Sequence, residues 1–434
     1  MDKSLILGIL NDWNYWKKDL PAGIARHFFS EKISQKAKTM EIIVIKGIRR
    51  CGKSTLLSQY CQNLIDGGVN KEDILIVNFE DPRFIGLDLD ALNKIYEIYL
   101  TEFNPSKKHY VILDEVQVVA AWEKFARFLH ENKKINVLVT GSNSKLLSSD
   151  YATVITGRHL DIQAYPLSFR EFLIFNKIDI SDELDKISKR HVIQRNLKEF
   201  MKWGGFPKVT LTVREDDKVD LLKNYFRDIL IKDIAARYKI KELQKLEELA
   251  KYYLTNISTL SSVNKISKIL DISLGTAERF SGYLSDSYMI SFIPKFSWKK
   301  KEQIINPKKV YCADIGLRNS VSFLFKEDYG RIAENIVYNH LYSKENEIFY
   351  WKGKQECDFI VKNGLKKYRA IQACWNISKP ETKERELKGL AEACKELKLK
   401  EGLIITEDLE NEETVEGIKI KYIPLWKWLL ENKT

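Results

Sequence analysis

Eight consecutive residues restrict this chain more than any other feature. Gly47-Ile48-Arg49-Arg50-Cys51-Gly52-Lys53-Ser54 fits the spacing GxxxxGK[ST] at every position. An apolar run at residues 41–45 precedes it and a helical pattern at residues 55–63 follows it. That order predicts a strand, a tight loop and a helix. In such a loop the glycines let backbone N–H groups wrap around phosphate oxygens, and the helix N-terminus adds its positive dipole end. Lys53 can reach β and γ phosphates, and the Ser54 hydroxyl can ligate Mg²⁺. Gly47, Arg49, Arg50, Cys51, Gly52, Lys53, Ser54 and Thr55 are therefore the candidate nucleotide-binding residues, and ATP or ADP with Mg²⁺ the implied ligands.

A second apolar run, Tyr110-Val111-Ile112-Leu113, ends in Asp114-Glu115. A carboxylate at such a strand end can hold the Mg²⁺ shell, and its neighbour can orient or deprotonate an attacking water. Asp114 is the candidate metal residue and Glu115 the candidate base; Gln117 can touch the phosphate or the water, or face solvent. A third run, Val137-Leu138-Val139-Thr140-Gly141, leads into Ser142 and Asn143. In a parallel sheet its end would lie beside Asp114, where Asn143 or Ser142 can sense a γ phosphate; both types also favour turn caps. His109 reads as a structural histidine.

Five apolar runs alternating with helical segments between residues 41 and 165 imply a parallel sheet with crossover helices. Residues 1–40 read as a helical lead-in broken at Pro21-Ala22-Gly23, and 41–175 as the core. Residues 176–240 read as a helical linker. Within 241–308, a short helix around Ile266, a turn at 271–274 and a second helix at 275–285 carrying Thr276, Glu278 and Arg279 give a winged helix-turn-helix pattern. The segment KFSWKKKEQIINPKK after it has six lysines against one glutamate, interleaved with Phe296 and Trp298; as a wing it can neutralise phosphates. Residues 309–434 mix strands and helices again and read as a small α/β domain.

Charge and cysteine usage narrow the setting. The formal balance is 71 − 60 = +11, which fits a phosphate-bearing partner, most often nucleic acid, and fits nearly as well a basic protein that is merely soluble. Six scattered cysteines contain no CxxC pair, which argues against a disulfide framework and a structural zinc site. No apolar run approaches the ~18–20 residues of a membrane helix. A cytoplasmic protein with no membrane partner is expected.

Residues 41–175 resemble AAA+-type ATPases of a group found in archaea and bacteria, on the segments GIRRCGKSTLL, VNFEDPRF, VILDEVQ, VLVTGSNSKLL and TGRHLDIQAYPLSFREFL, and the later GGFP. The resemblance implies that Arg158, the arginine of TGR, sits near nucleotide or reaches that of a neighbouring subunit, and that the chain forms a homo-oligomer. The order Glu334, Asp358, Gln372-x-Cys374 resembles the PD-(D/E)XK endonuclease-like fold, which carries a helix glutamate, a strand aspartate and an E-x-K pair. Here the second acid is an amide and the lysine a thiol, leaving Glu334, Asp358 and Gln372 as a nuclease-like remnant. The fold class expected is thus α/β: a parallel-sheet P-loop NTPase domain, a winged-helix segment and a C-terminal PD-(D/E)XK-like α/β domain. The function expected is an ATP-hydrolysing switch or motor associated with DNA, the alternatives being an ATPase-regulated nuclease or a signalling or scaffolding ATPase with a protein partner.

Overall fold

The structure, a computed structural model, describes residues 2–84, 86–131, 135–143, 152–322, 328–364 and 367–431. The chain divides into two compact units, Met1–Ala164 and Tyr165–Thr434.

The first unit is built on five parallel strands: β1 (Ile42–Lys46), β2 (Ile74–Asn78), β3 (Tyr110–Asp114), β4 (Asn136–Gly141) and β5 (His159–Gln163). Their spatial order is β2-β3-β4-β1-β5. Apolar side chains of β1, β3 and β4 are buried, the mark of a parallel sheet covered on both faces by helices. β4 lies between β1 and β3, so the phosphate-loop strand and the Asp114 strand flank it.

The lead-in is part of this unit. The helix Lys3–Trp13 buries Ile6, Ile9 and Leu10 in the same core as Val44, Leu75, Leu113 and Val139. Just beyond it, Asn14 exchanges two hydrogen bonds with β2: its Nδ2 donates to Ile76 O at 2.8 Å and its Oδ1 accepts from Ile76 N at 2.7 Å. Trp16 Nε1 donates to Ile74 O at 3.0 Å. On the opposite edge, Lys36 Nζ donates to Asp161 O of β5 at 2.7 Å.

The second unit opens with helices and carries two sheets. β6 (Thr259–Ser261), β7 (Ile290–Ile293) and β8 (Lys308–Cys312) form an antiparallel sheet in the order β6-β8-β7. The helices Val263–Ile269 and Leu274–Asp286 fall between β6 and β7, with Ser273 capping the second through Thr276 N. The six-stranded sheet has the order β13-β14-β12-β11-β10-β9. Its members are β9 (Glu347–Lys352), β10 (Glu356–Asn363), β11 (Lys367–Ala373), β12 (Glu401–Thr406), β13 (Asn411–Val415) and β14 (Ile418–Pro424). The helix Pro380–Glu396 crosses between the parallel strands β11 and β12. β8 pairs with β6 and β7, so a domain boundary at 308/309 would cut a strand in a three-stranded sheet; that expected boundary is corrected.

The GGFP turn has a packing explanation. Asp314 Oδ2 accepts from Gly205 N at 2.6 Å and Oδ1 from Leu317 N at 3.0 Å. A Cβ on Gly204, whose φ is +71°, would lie 2.2 Å from Asp314 Oδ1, so this corner requires glycine.

Candidate functional site

The phosphate loop runs from the end of β1 into the helix Lys53–Asp66. Gly47 is fixed by a close approach: a Cβ there would meet Ala164 O at 2.1 Å. Cys51 is buried beneath the loop, its Sγ 3.7 Å from Ala164 O, and burial raises its thiol pKa. Ser54 and Thr55 are exposed at the helix start. Arg49 is buried and donates to Glu80 Oε1 at 2.8 Å, whereas Arg50 is exposed with φ +68°.

Lys53 is held inside the loop. Its Nζ lies 3.2 Å from Gly47 O, 3.5 Å from Ile48 O and 3.2 Å from Glu115 Oε1. Burial opposes the ammonium charge, but Glu115 foremost and Asp114 among others hold its pKa above the ordinary lysine value. Glu115 sits in the left-handed region, φ +53°, which a non-glycine residue adopts at a cost and which is common at working sites. Gln117 Nε2 donates to Glu115 Oε2 at 2.6 Å. Burial pushes the Glu115 carboxyl up, yet Lys53, Gln117 and Arg49 outweigh it and keep the group below its usual value. Asp114 behaves oppositely: burial and then the Glu115 charge raise it, against hydrogen bonds from Thr140 and Ser54.

The donor set suits a magnesium shell. The Ser54 hydroxyl and the Asp114 carboxylate are neighbours, and the Lys53 charge reaches the buried aspartate without offsetting its burial. Among the described residues no group of three or more His, Cys, Asp or Glu could hold a metal by itself. A cation here would share its shell with phosphate and water, as hard, octahedral Mg²⁺ does.

Two contributors escaped the sequence reading. Thr140, fully buried on β4, donates through Oγ1 to Asp114 Oδ1 and accepts from Glu115 N at 2.9 Å, so one hydroxyl positions both acids. The signal was its place just before Gly141-Ser142-Asn143. Arg26, buried in the lead-in, donates through Nη1 to Cys51 O at 3.0 Å, and Gln59 Nε2 donates to Ala22 O and Ile24 O. The residues after the Pro21 break are thus strapped onto the loop and its helix. Ser142 and Asn143 are buried at the end of β4; Asn143 follows the strand that abuts β3.

Arg158 is elsewhere. Its carbonyl accepts from Ile42 N at 3.0 Å, and the next residue, His159, pairs with Ile42 at the start of β1. In a parallel sheet that is the end opposite the phosphate loop, about 16 Å away at ~3.3 Å per residue. The expectation that Arg158 lies near this chain's own nucleotide is corrected: register, not proximity in sequence, sets its place. His109 is buried and bonded to Tyr96 Oη at 2.9 Å and Ser106 O at 2.8 Å.

The second unit brings Glu334, Asp358 and Gln372 together, around a lysine that the sequence reading assigned to the wing. Lys309 Nζ lies 3.0 Å from Glu334 Oε1, 2.8 Å from Asp358 Oδ1 and 2.7 Å from Glu356 Oε1. Its side chain is 3% exposed, so it cannot contact phosphate, and the run expected to act as a wing keeps only five of its six lysines. Tyr311 Oη donates to Glu334 Oε1 at 2.7 Å. Asp358 Oδ2 accepts from Ala373 N at 3.0 Å, and its N–H donates to Gln372 Oε1 at 3.0 Å. Gln372 Nε2 in turn donates to Glu386. Burial and the Asp358 charge push Glu334 up to about 8, against Lys309.

A family model described as an AAA domain matches residues 39–173. Models of two domains of unknown function, DUF8612 and DUF4143, match 194–328 and 329–428. An uncharacterized protein of Methanocaldococcus jannaschii, MJ1544, is 36% identical over 407 residues, covering 90% of this chain and 88% of that one. This chain belongs to the same family of AAA-domain proteins. An uncharacterized Haemophilus influenzae protein is 28% identical over 93% of this chain and 98% of its own length. Among solved structures, the Walker-type ATPase paby2304 of Pyrococcus abyssi aligns with a TM-score of 0.46 at 11% identity, over 71% of this chain and 99% of that one. The family boundary at 328/329 leaves Lys309 in the middle region and Glu334, Asp358 and Gln372 in the last. Among the described residues no helix is long and apolar enough to cross a membrane.

Proposed function

We propose that this AAA-domain protein binds and hydrolyses ATP and uses the cycle as a switch or motor associated with DNA. The single observation behind the reading is the buried Lys53–Glu115 contact inside the loop, with Ser54 and Asp114 beside it. A triphosphate offers the Lys53 ammonium better acceptors than two loop carbonyls and one carboxylate. Once Lys53 turns to phosphate, Glu115, still steadied by Gln117, is released to orient the attacking water. Ser54 and Asp114 would hold Mg²⁺, which neutralises charge on the phosphates when bound. Arg158, at the far end of the sheet, serves a second copy's nucleotide if it serves any, which favours a homo-oligomer.

DNA association draws on the helix pair Val263–Ile269 and Leu274–Asp286, the β7–β8 hairpin and the lysines at its tip, an order compatible with a winged helix. The nuclease alternative loses ground, because Lys309 occupies the centre of its carboxylates. The deciding experiment is ATP turnover with and without single- and double-stranded DNA, run beside Lys53→Ala. Loss of turnover in the variant and stimulation by DNA in the wild type are expected; an unchanged rate in Lys53→Ala would remove the site.

A further inference from the structure

The tip between β7 and β8 is not a free loop. Pro294 O accepts from Tyr350 N at 3.1 Å, and Phe296 N donates to Tyr350 O at 2.6 Å, which stitches the segment to β9. From this anchor the chain presents Trp298, which is 66% exposed. Its ring is nonetheless fixed. It meets Phe296 edge to face at 5.1 Å and Tyr368 of β11 at 6.0 Å, while buried Phe296 packs edge to face on Tyr368 and Phe349. Lysines adjoin it in sequence and at its contact on β11. Lys299, Lys300 and Lys301 follow directly, and exposed Lys367 adjoins Tyr368. The one acid of the tip, Glu302, accepts from Ser297 Oγ at 2.9 Å and lies 3.8 Å from Lys299 Nζ, and Lys300 Nζ donates to Gln303 Oε1 at 3.1 Å, surface contacts that phosphate can replace.

A rigid, exposed indole beside a lysine run has a specific complement. Phosphates balance the ammonium groups and a base covers the ring, in the alternation that a nucleic-acid strand supplies. An apolar protein surface would instead have to desolvate the lysines. Inside a duplex both faces of a base are already stacked, so the ring can be covered only by an unpaired one. We propose that Trp298, held by Phe296 and Tyr368, is a stacking platform for a base of single-stranded DNA, with Lys299, Lys300, Lys301 and Lys367 on the flanking phosphates. This deepens the DNA reading above and rests on it.

The test is fluorescence anisotropy with a labelled oligothymidylate and a duplex of equal length, on the full chain across a salt series. Wild type should favour the single strand. Trp298→Ala should weaken single-strand binding about tenfold, from the ~1–3 kcal/mol of one base–aromatic stack, and leave the duplex and the salt slope unchanged. Trp298→Phe should keep most of the affinity. Replacing Lys299, Lys300 and Lys301 by alanine should weaken both ligands and flatten the slope. If the lysine variant loses affinity while Trp298→Ala does not, or if wild type favours duplex, the platform is wrong and the DNA reading stands. If wild type binds neither oligonucleotide, both fall together. An unchanged melting temperature confirms that Trp298→Ala folds.

Discussion

Lys53 and Lys309 are both buried ammonium groups set against carboxylates, and their surroundings differ. Lys53 has one carboxylate and two loop carbonyls at 3.2–3.5 Å, with the exposed residues Ser54 and Thr55 next in sequence. Lys309 has three carboxylates at 2.7–3.0 Å, and the acids around it are further tied by Tyr311 and by backbone N–H groups. A lysine with few, long contacts beside an open edge can change partners when phosphate arrives. One enclosed by three carboxyl groups, among them Glu334 pushed up to about 8, is a fixed counter-charge, and its release would leave buried acids uncompensated. The contrast teaches that a lysine's place near acids says little about its work; the number and strength of its acceptors say more.

Substitution at the two lysines should separate these roles. Lys53→Ala is expected to reduce ATP turnover below detection, measured as phosphate release, and Glu115→Gln to retain nucleotide while stopping hydrolysis; turnover in either would erase the distinction from the nucleotide side. Lys309→Met should cost about 3–5 kcal/mol of stability by denaturant unfolding, the usual effect of removing one partner of a buried ion pair. A wild-type-like midpoint would show that the cage is not structural.

Asp314 sharpens the comparison as a buried carboxylate with no lysine. Burial raises it from the ordinary 3.8 to about 6, against backbone donors led by Gly205. The folded chain therefore binds this proton more tightly than the unfolded one. Its stabilisation is complete below about pH 4 and fades as pH rises through 6, a change of about 3 kcal/mol. Asp314→Asn lacks that dependence, so wild type minus variant stability should fall over this window; a flat difference would place the carboxyl's pKa near its ordinary value. The smallest effect is expected at Thr140→Val, which removes the hydroxyl shared by Asp114 and Glu115. Turnover should drop about tenfold, about 1.4 kcal/mol, with nucleotide affinity nearly kept.

What could be read from the sequence was what short-range pattern controls. The five strands of the first unit, the phosphate loop and the Asp114-Glu115 strand end all arise from local apolar runs and glycine spacing. What could not be read depends on register and on contacts across long stretches of chain. Arg158 falls at the far end of the sheet because β5 pairs with β1 from Ile42 onward. Lys309 looked like one more lysine in a charged run, and its inward turn is dictated by Glu334 and Asp358, 25 and 49 residues further on. Arg26 gave no local sign of touching the loop, and Thr140 looked like an ordinary strand residue.

The side-chain bonds from Asn14 and Trp16 to β2, and from Lys36 to β5, have a consequence for assembly. On β2 the groups Ile74 O, Ile76 N and Ile76 O are occupied, and on β5 Asp161 O is, which leaves another polypeptide less ladder to extend. Strand pairing between copies of this chain through the AAA domain would first have to displace these side chains, so the bonds oppose a continuous sheet that would lock copies together.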